Sequence, residues 1–381
     1  MKTLVSTFTL CATLAFPLCA MAEGAHEQEA PSQSISSLPR QEAETLGLAP
    51  SLNFKGEHGA PIHILPNQLG HRARESNGLT RGASRNPNLI YHSGGSIITA
   101  VNIYNIYWLP ASGVLQNGAR TSMVSNYKNV LDAVATGIAT SIAAPNVYAP
   151  DQGKSLYNVA TQYYQSLNNT VTYVADSGGL AASVIDTNPY PASGCTDSLT
   201  PGNCVTDAQV QAEIAKVMAA NGWTPGINKI YVLYTSLGEG SCIGGSTCAY
   251  NYYCAYHSAF GTTSAPVIYA NMPYGNASHC RASGQTTPNA AGTDVSADLT
   301  ANVLTHELIE TVTDPLGDAW YDAQGNEIGD KCAWNFGSNK IISNMNGVAV
   351  NEYFGNTPSP YNYFDMQMEW SNAISGCAQV K

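Results

Sequence analysis

Residues 294–315 read DVSADLTANVLTHELIETVTDP. Ala297, Ala301, Leu304, Leu308 and Val312 recur at helical spacing and predict a helix over Asp294–Thr313. Asp314-Pro315 stops it, because proline cannot donate to the helix and biases its predecessor out of the helical region. Leu299, Val303 and Ile309 line the other side as well. A helix apolar nearly all round is covered on both faces. It belongs between layers of a larger fold, and its polar residues need partners there.

Those polar residues are His306, Glu307 and Glu310, in the pattern H-E-x-x-E. His306 and Glu310 lie one turn apart on one face, where two side chains can grip the same ion. Glu307 points about 100° round the helix, where it can reach a metal-bound water. This is the arrangement of the H-E-x-x-H zinc helix with a carboxylate in place of the second imidazole. Metal lowers the pKa of its water, and a glutamate general base takes the proton during hydrolysis. The competing reading is an i, i+4 His–Glu pair on a helix surface. The remaining ligand has several candidates. His257 stands in Cys254-Ala255-Tyr256-His257, and Asp314 follows the helix. Asp322, Glu327 and Asp330 lie in the turn-rich WYDAQGNEIGDKC, and His257 and Asp330 are preferred. Zinc suits such a set, and oxygen-rich alternatives also admit calcium or manganese.

Outward from this helix, Ser96–Pro110 (SIITAVNIYNIYWLP), Val171–Ile185, Lys229–Tyr234 and Pro266–Ala270 read as strands, with short strands around Val348–Tyr353. Thr121–Ile142, Lys154–Leu167 and Asp207–Asn221 read as helices. The mixed order predicts an α/β (mixed α+β) domain with a single sheet and packed helices, occupying residues 87–381. Residues 23–86 carry Pro, Ser, Gly and scattered charge, and read as a polar leader, linker or propeptide with basic residues at Arg72, Arg74, Arg81 and Arg85.

Residues 1–22 combine Lys2, an apolar run and Ala20-Met21-Ala22, the features of a cleavable signal peptide, and the run is too short for a membrane span. Leu10 and Leu18 precede Cys11 and Cys19, where a lipoprotein signal would carry a small residue. The protein is therefore expected outside the cytoplasm, secreted or periplasmic. Eight further cysteines, from Cys195 to Cys377, then read as disulfides, and Cys195/Cys204 and Cys242/Cys248 are spaced to close small loops. A net charge of −11 with no basic stripe argues against nucleic acid as a partner. The cluster Gly238, Gly240, Gly244 and Gly245 has no phosphate-loop lysine, and no Gly-x-Ser-x-Gly elbow occurs.

Several islands resemble the exordium family, also called phosphate-induced protein 1. Tyr91-His92-Ser93-Gly94-Gly95 with the strand ending Ile106-Tyr107-Trp108 is similar to its opening segment. Cys254-Ala255-Tyr256-His257 is similar to its Cys-x-x-His element. Glu310-Thr311-Val312-Thr313-Asp314-Pro315-Leu316-Gly317 is similar to the plant stretch Gly-Thr-Val-Thr-Asn-Pro-Phe-Gly. The resemblance implies an extracellular or cell-wall-associated protein without an established reaction. It departs from plant members at His306, Glu307 and Glu310, where they lack the motif. A strand-rich segment, then such a helix, then a later ligand is also the order of zincin metallopeptidases, so a zincin-like fold is expected by analogy. Together these readings predict a secreted metal-dependent hydrolase of polypeptide or cell-wall substrates. Its ligands would be His306 and Glu310 with His257 or Asp330, and its base Glu307. The alternative is a non-catalytic extracellular binding protein.

Overall fold

The β-branched and aromatic run expected as a strand over Ser96–Pro110 forms one over Val101–Trp108. It lies within a seven-stranded sheet built from β1 (Phe54–Lys55), β2 (Pro61–Pro66), β3 (Val101–Trp108), β4 (Gly178–Asp186), β5 (Lys229–Thr235), β6 (Tyr253–Thr262) and β7 (Ala265–Met272). The spatial order is β1-β2-β6-β7-β5-β3-β4. Strands β7, β5, β3 and β4 run parallel to one another. β6 is antiparallel to β7, β2 to β6, and β1 to β2. The computed structural model describes residues 54–55, 60–76, 88–111, 126–139, 155–200, 203–244, 247–274, 278–282, 285–289, 294–338, 341–342, 346–354, 357 and 362–381. All belong to the compact unit Gln33–Lys381. The signal peptide expected over residues 1–22 lies outside the described residues.

Among the described residues, four helices accompany the sheet: α1 (Gln68–Ser76), α2 (Lys128–Gly137), α3 (Asp207–Asn221) and α4 (Val295–Thr313). Alternation along the strands divides the core in two. Ile106, Tyr231, Leu233, Tyr256 and Tyr269 pack with Val210, Ile214 and Val217 of α3. Ile103, Tyr107, Val232, Tyr234, Ala255 and Ala270 pack with Leu131 and Val134 of α2 and Leu304, Leu308 and Val312 of α4. The fold is thus a mixed sheet between helical layers. Its central parallel strand β5 is covered on both faces, as the burial of Ile230–Thr235 shows, whereas the edge strand β4 is only partly covered. Strand β2 obeys the same alternation: Ile62 and Ile64 join the α3 side, and Leu65 joins the α4 side.

Helix α3 matches its expected range. Thr206 and Gln209 form a reciprocal capping box, and Gly222 closes the far end at φ +65°. Lys154–Leu167, read as a helix, is instead a 3-10 turn over Leu156–Gln162 followed by a strand, Tyr164–Leu167, paired with Thr170–Tyr173. Asn168 and Asn169 both hold positive φ, the conformation of a two-residue hairpin turn, and this overrides the local helical spacing. Of the helix expected over Thr121–Ile142, Lys128–Gly137 is helical, and residues 121–125 and 140–142 lie outside the described residues. The sheet also begins before residue 87, since β1 and β2 come from the stretch read as leader.

Four disulfides link Cys195–Cys204, Cys242–Cys248, Cys254–Cys280 and Cys332–Cys377. Among the described residues no helix is long and apolar enough to cross a membrane. The disulfides are consistent with an extracellular or periplasmic location.

Candidate metal centre

Helix α4 is the scaffold. Asp294 caps its start, its side chain accepting from the Ser296 and Ala297 amides at 2.8 and 3.2 Å. Asp314 ends it, leaving helical geometry before Pro315 and accepting from the Asp318 and Ala319 amides at 2.7 Å each. Every residue from Ser296 to Thr313 is buried, as apolar residues on all sides require. His306, Glu307 and Glu310 are therefore carried into the interior, with exposures of 0, 0 and 1 %.

Other segments bring donors to the same place. His257 of β6 is the direct cross-strand partner of His63 in β2, and the two rings stack 4.8 Å apart. The loop after α4 folds on Asp322, whose carboxylate accepts from the Gln324 and Asn326 amides and pairs with Lys331 Nζ at 3.0 Å. That loop delivers Glu327, Gly329 and Asp330, and the Cys332–Cys377 disulfide anchors its end. Gln367 arrives from the C-terminal segment.

The geometry runs as a chain of shared donors. Glu310 Oε1 accepts from the Asp330 amide at 2.7 Å, while Oε2 lies 3.2 Å from His306 Nε2 and 3.8 Å from His257 Nδ1. Glu307 accepts from the Leu65 amide of β2 at 3.2 Å and shares a hydrogen bond with His257 Nδ1 at 2.9 Å. Glu327 Oε2 lies 3.2 Å from His63 Nδ1 and 3.5 Å from His257 Nε2. Gln367 Nε2 donates to His306 Nδ1 at 2.9 Å and to the Gly329 carbonyl at 3.1 Å, holding the ring from behind. Three triads have donor atoms within 4.8 Å of one another: His306/Glu310/Asp330, His257/Glu307/Glu310 and His63/His257/Glu327. Asp322 stays with Lys331 and its own loop.

Buried acid dominates the charge balance of the cluster. Burial pushes Glu307 and Glu327 well above the ordinary carboxylate range, and the Glu310 charge adds to this. Burial also lifts Asp314 to about 7. Burial takes His63 down to about 4, with Glu310 opposing, and burial and His63 take His257 down further. His306 and Glu310 support each other: burial disfavours both charges, yet the pairing raises the imidazole and lowers the carboxyl. The cluster thus has more acid than its imidazoles can balance, and such groups need protons or a metal ion. Several atoms aimed inward make no hydrogen bond: both nitrogens of His63, His257 Nε2, His306 Nε2, Glu310 Oε2 and both oxygens of Glu327. Nε2 of His306 and Oε2 of Glu310 lie 3.2 Å apart without being aligned to each other; with Nδ1 accepting from Gln367, a neutral His306 carries its proton on Nε2.

His306, Glu307, Glu310, His257 and Asp330, named from sequence, all lie in this cluster. His63 and Gln367 did not emerge from sequence reading. The signal for His63 was the alternating PIHILP bounded by prolines, which the polar composition of the surrounding leader concealed. No protein-family model, curated protein or solved structure matches the chain.

Proposed function

We propose that this protein is an exported, metal-dependent hydrolase of extracellular polypeptide or cell-wall material, zincin-like in its use of one helix for ligands and base. His306, Glu310 and Asp330 would hold the ion. The single observation that carries this reading is the buried, unaligned approach of His306 Nε2 to Glu310 Oε2 at 3.2 Å, with neither atom hydrogen-bonded. Imidazoles among the donors favour zinc or a similar transition metal over calcium, which prefers an oxygen-only shell. When bound, such an ion supplies Lewis acidity and an activated water.

The chain's own residues divide the remaining work. Gln367 holds His306 at Nδ1 and the Asp330 amide fixes Glu310 through Oε1, so each residue turns its other atom inward; for His306 to ligate through Nε2, the ring proton would move to Nδ1 and Gln367 would turn its amide oxygen to accept it. Glu307 is the proton acceptor, and the burial that raises its pKa brings its basicity closer to neutrality. A second reading, a non-catalytic extracellular binding protein with a structural ion, draws on a different fact. Glu307 is already hydrogen-bonded to Leu65 and His257, and the donors are 0–2 % exposed.

The test is metal content beside hydrolysis. Purified full-length protein is stripped, reloaded with zinc and analysed by elemental analysis, and Glu307→Gln and His306→Ala are treated alike. The hydrolase reading expects metal in wild type and in Glu307→Gln, cleavage of casein or peptidoglycan by wild type alone, and metal loss in His306→Ala. Metal binding without any cleavage would leave the structural reading, and no uptake at all would end both.

A further inference from the structure

His63, His257 and Glu327 share no residue with His306, Glu310 and Asp330, and their donor atoms also lie within 4.8 Å of one another. They come from three separate places, β2, β6 and the loop after α4, and are 2, 1 and 0 % exposed. His257 Nδ1 lies 2.9 Å from Glu307 Oε2, and in the tautomer that donates there the Nε2 lone pair is left toward Glu327 Oε2, 3.5 Å away. A carboxylate behind one ring nitrogen is the support that metal-binding histidines characteristically have. Neither nitrogen of His63 nor His257 Nε2 makes a hydrogen bond, and neither oxygen of Glu327 is aligned for one, although Asp314 stands close enough to act on the Glu327 carboxyl. Buried polar atoms left this way on three neighbouring residues are far from the norm for protein interiors.

We propose that His63, His257 and Glu327 bind a second transition-metal ion of the zinc class, and that this ion fastens the leader strand β2 to the β6 edge of the sheet. The inference rests on reading the buried cluster as metal-loaded, but not on any hydrolytic step. Its consequence follows from where His63 sits. β2 pairs with β6 over only a few residues, with an irregular register between Tyr253 and Ala255. The two rings are stacked with their planes 9° apart, so each would turn to bring its in-plane lone pair onto a shared ion; an ion so held between the strands adds a link that hydrogen bonds alone do not supply. While it is in place, β2 also keeps its Leu65 amide on Glu307. The leader strand is thereby coupled to the neighbouring site through His257 and Glu307.

The experiment is zinc stoichiometry of the full chain by elemental analysis after equilibrium dialysis, with His63→Ala, Glu327→Gln and His306→Ala beside wild type, and folding checked by circular dichroism. Wild type is expected to hold about two ions per chain and each variant about one. Cobalt titration of wild type reads the same count without a variant: the absorption saturates after about two equivalents. Limited trypsin treatment adds a structural readout. The fragment carrying residues 61–66 stays with the domain in zinc and leaves it after chelation. Saturation at about one equivalent, with the ion lost in His306→Ala and kept in His63→Ala, overturns the second site and leaves the proposed function standing. One ion lost in His63→Ala and kept in His306→Ala keeps this site and overturns the ligand set proposed for hydrolysis. Absence of uptake ends both.

Discussion

Replacing Gly329 by alanine tests the centre through one methyl group. Gly329 has φ −77° and ψ −41°, a conformation that any L residue adopts, so the substitution strains no backbone. The obstacle is space. A Cβ at this position falls 2.6 Å from His306 Nδ1, 2.9 Å from its Cε1 and 3.0 Å from Glu310 Oε1. Ordinary contact begins at 3.4 Å, so the ring must retreat from 2.6 Å by about 0.8 Å. Ligand positions tolerate only about 0.2 Å, and His306 is fully buried with Gln367 behind it. Overpacking of this kind costs about 1–3 kcal/mol of stability. Zinc affinity should fall by about 100-fold, at the upper end of what disturbing a supporting group costs. The assay is competition for zinc against a chromogenic chelator, with thermal unfolding in parallel. Gly226→Ala serves as control, because a Cβ there meets nothing within 4 Å. Unchanged affinity in Gly329→Ala, with the melting temperature lowered, would show that His306 is packed there but does not ligate.

Three further outcomes are expected. Gln367→Leu removes the donor to His306 and the Gly329 carbonyl, and should weaken zinc binding about 10–100-fold in the same competition assay while the fold persists. Glu239 is buried with Oε2 unpaired, and burial raises its pKa from 4.5 to about 8. The folded state therefore holds this proton more tightly than the unfolded chain. The stabilisation is full below the unfolded value of 4.5 and is lost as pH rises through about 8. Glu239→Gln should flatten the fall in melting temperature across that window, and an unchanged slope would refute the assignment. Cys377→Ser opens a bridge spanning 45 residues and should cost about 2–4 kcal/mol in denaturant unfolding. It should also lower zinc affinity, because that bridge anchors the loop carrying Asp330.

Much of the centre's helix was legible from residues 294–315 alone. Spacing, an acidic start and the Asp-Pro stop are local signals, and burial on every side followed from apolar residues on every side. The same locality placed His306 and Glu310 on one face, and α3 formed over the expected residues. Where a short-range pattern competed with a turn, as at Asn168-Asn169, the turn prevailed and the expected helix gave way to a hairpin.

Only the tertiary structure decided which donors meet. His63 and His257 converge because β2 pairs with β6 in one register, and a slip of one residue would turn His63 to the α3 side and Ile62 and Ile64 to the α4 side. Glu327 and Asp330 arrive through a loop whose path depends on Asp322, Lys331 and a distant disulfide. Periodicity along a chain specifies which face of an element a residue occupies. It does not specify which other face will lie opposite, since that follows from sheet order and register set by contacts far apart in sequence.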